Sequence, residues 1–140
     1  MIGCDGMVTE YIIDLFAASM KARSKSGVTW YTRGFEHMKS SEFEQAVYCY
    51  TRAVERDPQY KKAYFDRGNA YIYLSRFREA VSDFKEVVRM DPGDADAYYC
   101  LGFTYVLMDE RDRARAGFRR ACELGLERAC IKLEGLGRVE

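Results

Sequence analysis

The chain carries no excess charge of either sign: 22 Lys and Arg stand against 22 Asp and Glu, for a formal net charge of +0. There is no global field to gather nucleic acid or an anionic membrane, so neither is an expected partner. There is one histidine, His37, and a lone imidazole at a position where sister segments carry Tyr71 and Tyr105 reads as packing. No Gly-rich phosphate loop, paired ligand motif or His-centred nucleophile arrangement can be assembled, which argues against an enzyme. The five cysteines, Cys4, Cys49, Cys100, Cys122 and Cys130, are odd in number and form no C-x-x-C pair. That pattern speaks against a zinc or redox motif and for reduced, bystander thiols in a cytoplasmic setting. No apolar run is long enough to cross a bilayer, and the first, Tyr11 to Ala18, contains Asp14 and follows no basic region, so a secretory signal is not expected. Cys4 has no hydrophobic leader ahead of it that would mark it for lipid attachment. No cofactor and no metal are expected.

What the chain has is a period. Gly34, Gly68 and Gly102 stand 34 residues apart, each followed at fixed offsets by Ala46, Ala80 or Ala114 and then by Tyr50, Phe84 or Phe118. A fixed repeat of this length means one helical hairpin copied and stacked. The units run over 27–60, 61–94 and 95–128. In each, an aromatic (Trp30, Tyr64, Tyr98) opens a helical stripe that continues through the glycine. A second stripe, such as Ala46, Tyr50 and Ala53, answers it, and Gly against Ala is expected to let the two helices approach closely. Ser41 to Glu44 has the form of a capping box, while Asp57-Pro58 and Asp91-Pro92-Gly93-Asp94 interrupt the helical pattern between units.

The pattern W-x-x-x-G-x-x-H…A-x-x-x-Y-x-x-A…P of the first unit (Trp30, Gly34, His37, Ala46, Tyr50, Ala53, Pro58), repeated in phase twice, resembles the tetratricopeptide repeat family. The resemblance implies an all-α, right-handed solenoid of three helical hairpins that acts as a non-catalytic protein-binding scaffold. Departures stand at Arg33 and Arg67, which replace the leucine common beside the glycine. Arg111 stands where the other units have Phe43 and Phe77, and Gly125-Leu126 replaces the terminal proline.

Both flanks read as caps. Residues 1–26 hold an amphipathic segment whose Ile12, Ile13, Phe16 and Met20 align with the second-helix stripe of a missing hairpin, followed by a small polar linker from Arg23 to Gly27. The same stripe (Val8, Ile12, Leu15, Phe16, Met20) also suits a helix laid into a groove, its own or a neighbour's, or one attached to a membrane surface. Residues 129–140 offer Ala129, Ile131, Leu133 and Leu136 as a short helix to cover the other end.

In the resembling family the first helices line the concave side. Residues one helical step from the packing stripe would then face the groove: Tyr31, Phe35 and Met38, then Lys62, Phe65, Asp66, Asn69 and Ile72 or Tyr73, then Tyr99, Phe103 and Val106, with Asp96 at the rim. Rows of aromatics interrupted by Asn69, whose amide can bond a peptide backbone, suit an apolar peptide or helix. Such a stripe also suits plain packing, with the wall sealed by the N-terminal helix or by a second protomer as a homodimer. Family members that hold the carboxylate tail of chaperones have Lys, Asn and Arg where this chain has Tyr31, Phe35, Asp66, Asp96 and Cys100, so chaperone tails are not expected ligands. The arginines of 111–120 are diluted by Asp109, Glu110, Asp112 and Glu123 and read as a solvated outer helix, with an acidic protein as the sharper alternative.

Overall fold

A computed structural model describes residues 5–137, with side chains described for 15–22 and 25–137. Seven helices follow one another, and no strand occurs among the described residues: α1 (Asp5–Lys39), α2 (Phe43–Arg56), α3 (Lys61–Tyr73), α4 (Phe77–Met90), α5 (Ala95–Leu107), α6 (Arg111–Glu123) and α7 (Glu127–Gly137). The C-terminal part of α1 pairs with α2, α3 with α4 and α5 with α6. Each hairpin packs on the next, and α7 closes the stack against α6. The chain is an all-helical solenoid of hairpins.

The hairpin turns explain the regular phase. Ser41, Ser75 and Asp109, at the same place in each unit, all adopt left-handed backbone with φ of 59°, 57° and 57°. In the second unit Ser75 N–H donates to Ile72 C=O (2.9 Å) and Arg76 N–H to Tyr71 C=O (2.8 Å), closing two of the helix's orphan carbonyls. The first and third units repeat this pair of bonds. The capping box is therefore not formed: Ser41 sits in the turn, Glu42 takes the N-cap place, and no side chain caps α2. The sequence hid this because the left-handed position holds Ser or Asp where glycine is customary. Asp94 does cap its helix, accepting from Ala97 N–H at 3.0 Å.

Tyr50, Phe84 and Phe118 are the large side chains at the centre of the hairpins, fully buried on α2, α4 and α6. Each packs against the glycine of its unit: a Cβ built on Gly34, Gly68 or Gly102 would stand 2.7, 2.9 or 2.9 Å from the nearest ring atom. The glycines make room for a ring, which corrects the expected contact of Gly with Ala. In the third unit two backbones also meet, Gly117 of α6 lying against Gly102 itself.

Both ends depart from expectation. No linker interrupts α1 at Arg23–Gly27; the segment has no proline, and its Arg, Lys and Ser residues tolerate helix. Gly27 of α1 lies beside the Ala53 carbonyl of α2 and Asp57. Residues 5–26 are thus the first part of the same helix that forms the first hairpin, where the second helix of a missing hairpin, capping the front, was expected. Leu15, Phe16 and Met20 are exposed. Val8, Ile12 and Ile13 lie outside the residues whose side chains are described.

At the other end, α6 stops in a left-handed Gly125 (φ 92°) with Leu126 N–H donating to Ala121 C=O at 3.0 Å. This turn is shorter than the Asp-Pro turns. Buried Ala63 and Ala97 are 34 residues apart, but Ala97 and its counterpart Ala129 are 32 apart, and α7 starts at Glu127 rather than 129. Leu133 and Leu136 pack against the core, while Ile131 is exposed. A disulfide joins Cys122 of α6 to Cys130 of α7 (Cα–Cα 4.8 Å), which departs from the expectation of bystander thiols. Cys49 and Cys100 are free.

Candidate peptide-binding face

The first helices of the hairpins, α1, α3 and α5, carry the residues singled out in the sequence, and a side-chain bond links α1 to α3. Tyr31 of α1 is buried; its hydroxyl donates to Asp66 Oδ2 of α3 at 2.6 Å, and its ring packs on Tyr50 and Tyr60 at centroid distances of 5.6 and 5.1 Å. Lys62 Nζ lies over the same ring, 5.3 Å from its centroid. Tyr31 is thus a floor residue rather than a free wall. Burial raises the Asp66 carboxyl above its ordinary range, with the Tyr31 hydrogen bond and Lys62 opposing. It raises the Tyr31 hydroxyl too, the Asp66 hydrogen bond adding to it.

Phe65 and Tyr99 are half-buried, standing on the core rings Phe84 (5.5 Å) and Phe118 (5.3 Å). Phe35 and Phe103 remain 45% and 39% exposed, and Val106 is exposed beside them in sequence register. Met38 and Asn69 are half-buried. Tyr73, at the end of α3, is stacked on Phe43 of α2 (4.5 Å, 4° between planes), which places it at the edge of the row. Asp96 is bonded by Arg128 of α7, whose guanidinium also lies 4.6 Å from the Tyr99 centroid. Cys100 is half-buried, and burial pushes its thiol up to about 12, so it presents a neutral group.

Two exposed residues in the same register escaped the sequence reading. Val28 stands 34 residues before Lys62, and Leu107 stands 34 after Tyr73. The repeat offset itself would have found them.

Two family models match the chain, one described as "Tetratricopeptide repeat" over residues 28–60 and one as "TPR repeat" over 68–109, together more than half of it. The chain belongs to the tetratricopeptide repeat family. Solved structures agree on the fold. The first TPR of Spaghetti (RPAP3), bound to the HSP90 peptide SRMEEVD, superposes with a TM-score of 0.77 at 23% identity, covering 82% of this chain and 93% of that one. The Arabidopsis OM64 TPR domain gives 0.74 at 22% identity, covering 81% and 98%. The TPR2B domain of yeast Sti1, in complex with an Hsp70 peptide, gives 0.73 at 23%, covering 81% and 94%. No curated protein matches the sequence. A tetratricopeptide array is a protein-interaction scaffold. No helix among the described residues is long and apolar enough to cross a membrane.

Proposed function

We propose that this tetratricopeptide array is a non-catalytic adaptor that holds an apolar peptide or helix of a partner protein against its inner face. The carrying observation is the exposure of Phe35 and Phe103, on the first and third inner helices, which leaves aromatic surface open to a ligand while Tyr31, Phe65 and Tyr99 support it from below. Asn69, between them on α3, supplies an amide for a peptide backbone. The setting we assign is cytoplasmic, on the odd number of cysteines and, among the described residues, the free Cys49 and Cys100; the Cys122–Cys130 disulfide is the one observation that runs the other way.

The peptide carried by the Spaghetti domain, SRMEEVD, is acidic. The face described here offers such a tail Asp66, an Asp96 already bonded by Arg128, and a neutral Cys100. Its one cation in the middle, Lys62, lies over Tyr31 beside Asp66. An acidic tail would lose water there without gaining enough positive partners, so the favoured ligand is apolar and not a chaperone tail.

The test is Phe35→Ala with Phe103→Ala. Partner capture should be lost, and the melting transition should move less than the roughly 3 to 5 kcal/mol typical of a buried Phe→Ala. Retained capture by the folded double variant rejects the reading. A second reading has the face filled by α1 of another protomer. It is favoured by one observation, the exposed Leu15, Phe16 and Met20 on the projecting part of α1.

A further inference from the structure

The same place in the three hairpins is filled in three ways. The residue before the repeat glycine faces the residue before the central ring: Arg33 and Cys49 in the first unit, Arg67 and Asp83 in the second, Leu101 and Gly117 in the third. In the second unit the pair closes on itself, Arg67 Nε and Nη2 donating to Asp83 at 2.8 and 2.7 Å, and Nη1 donating to Thr51 Oγ1 of the preceding hairpin at 3.1 Å. In the third, Leu101 belongs to the apolar core.

The first unit has the cation without the anion. Cys49 is buried, and burial holds its thiol in the neutral form, so it supplies no counter-charge. Arg33 lies over the Trp30 ring, 5.2 Å from the centroid, with no carboxylate in bonding reach among the described residues. Glu42 is taken by His37 at 2.5 Å, and Glu44 lies 3.9 Å from Arg76. Among the described residues no hairpin precedes this one to supply what Thr51 supplies to Arg67. The result is an open depression of about 450 Å³ lined by Trp30, Arg33, His37, Glu44, Tyr48 and Cys49, with Tyr48 exposed and set edge-on to Trp30 at 6.0 Å.

We propose that this end of the array is a second docking site, for an acidic side chain of a partner protein whose carboxylate takes on Arg33 the place that Asp83 takes on Arg67. A fork of N–H donors on a guanidinium backed by the Trp30 ring selects a planar carboxylate. Trp30 and Tyr48 then receive the apolar residue next to the acid. The site uses a different face of α1 from Phe35, so it stands or falls independently of the inner face.

Trp30 is the only tryptophan and lines this depression, so its fluorescence reports on binding there. The probe is acetyl-Leu-Asp-Phe-amide, with acetyl-Leu-Asn-Phe-amide as its uncharged isostere. A saturable change at millimolar concentration or below is expected for the acidic peptide, weaker by roughly tenfold for the isostere and absent in Arg33→Gln, an exposed substitution that leaves the core untouched. Equal responses from the two peptides, an undiminished response in Arg33→Gln, or no saturation in the wild type each overturns the proposal. Cys49→Asp is the converse, filling the site from inside, and a folded Cys49→Asp that still binds the acidic peptide overturns it as well. Should that variant fail to fold, Arg33→Gln decides alone. A concentration-dependent doubling of mass that Arg33→Gln abolishes would make a second copy the occupant and reject the partner protein.

Discussion

Arg67 grips Asp83 with two nitrogens, at 2.8 and 2.7 Å, across the second hairpin, and both side chains are largely withdrawn from water. Because the third nitrogen reaches Thr51, this one cation ties α2, α3 and α4 together. Burial raises the Asp83 carboxyl, and Arg67 opposes that shift. A pair so placed costs much to break and little to replace as a whole. Asp83→Ala should therefore destabilise the array by about 3 to 5 kcal/mol, whereas Arg67→Leu with Asp83→Ala should recover most of the loss. Chemical denaturation of the two single variants and the double variant checks this; additive losses would contradict it.

The glycines differ in what surrounds them. A methyl on Gly68 meets atoms of the Phe84 ring at 2.9 Å, and a ring can tilt. A methyl on Gly117 meets backbone, Gly102 N at 2.8 Å and Cα at 2.9 Å, and α5 and α6 must part. Allowing about 1 kcal/mol gained from alanine's helix preference, Gly68→Ala should cost about 1 kcal/mol and Gly117→Ala about 3. Urea midpoints rank them, and the reverse order would show that the close backbone approach is not where the structure puts it.

Tyr50 is fully buried, and its hydroxyl has no hydrogen-bond partner. The equivalent rings Phe84 and Phe118 have no hydroxyl to satisfy. Tyr50→Phe should leave the packing on Gly34 unchanged and stabilise the fold by about 1 kcal/mol. Differential scanning calorimetry provides the measurement, and a lower melting temperature would mean the hydroxyl is bonded in solution.

The strict phase of the hairpins was legible because three copies of one pattern had to agree, and agreement among Gly34, Gly68 and Gly102 leaves few other folds. Spacing gives the face of a helix, however, and not the depth of a neighbour. That is why Gly was matched to Ala when the ring one turn further on fills the gap, and why Tyr31 was read as wall when it is floor. The Arg67 and Asp83 pair joins two helices across a turn, where no single helical period records it. Both Arg33 and Arg67 stood out as departures from leucine, but only the structure shows that one is answered by a carboxylate. The segment Arg23–Gly27 was read as a linker from its small polar residues, and a helix already nucleated on both sides carries such residues at modest cost.

Asp66 gives a pH signature. Its folded pKa is raised above the ordinary 3.8, chiefly by burial, so its contribution to stability is fully present below 3.8 and is lost as pH rises through the raised folded value. Asp66→Asn keeps an acceptor for the Tyr31 hydroxyl without the buried charge. The variant should melt higher than the wild type at neutral pH, with the difference vanishing in acid. A deficit of equal size at every pH would show that the carboxylate stabilises the face.

The projecting part of α1 raises the question of what covers it. Leu15, Phe16 and Met20 are 53%, 68% and 58% exposed, on the part of α1 that precedes Gly27, which lies beside Ala53 and Asp57 of the first hairpin. A helix this far from tertiary support is marginal in water unless its apolar stripe is covered. If a second protomer covers it, light scattering should give 16.2 kDa at high dilution and twice that mass as concentration rises. Phe16→Ser with Met20→Ser should then hold the chain at the monomer mass. Because these side chains are exposed in their own chain, the monomer's melting transition should move by no more than about 0.5 kcal/mol. The inner-face reading joins this prediction through Phe35 and Phe103: if the partner's stripe lies on them, the serine variant should capture a peptide ligand more readily than the wild type, since the competitor is gone. A wild type that stays monomeric at every concentration, with hydrogen exchange in 15–22 as slow as in α3, would rule out the second protomer and leave the face free for a different protein.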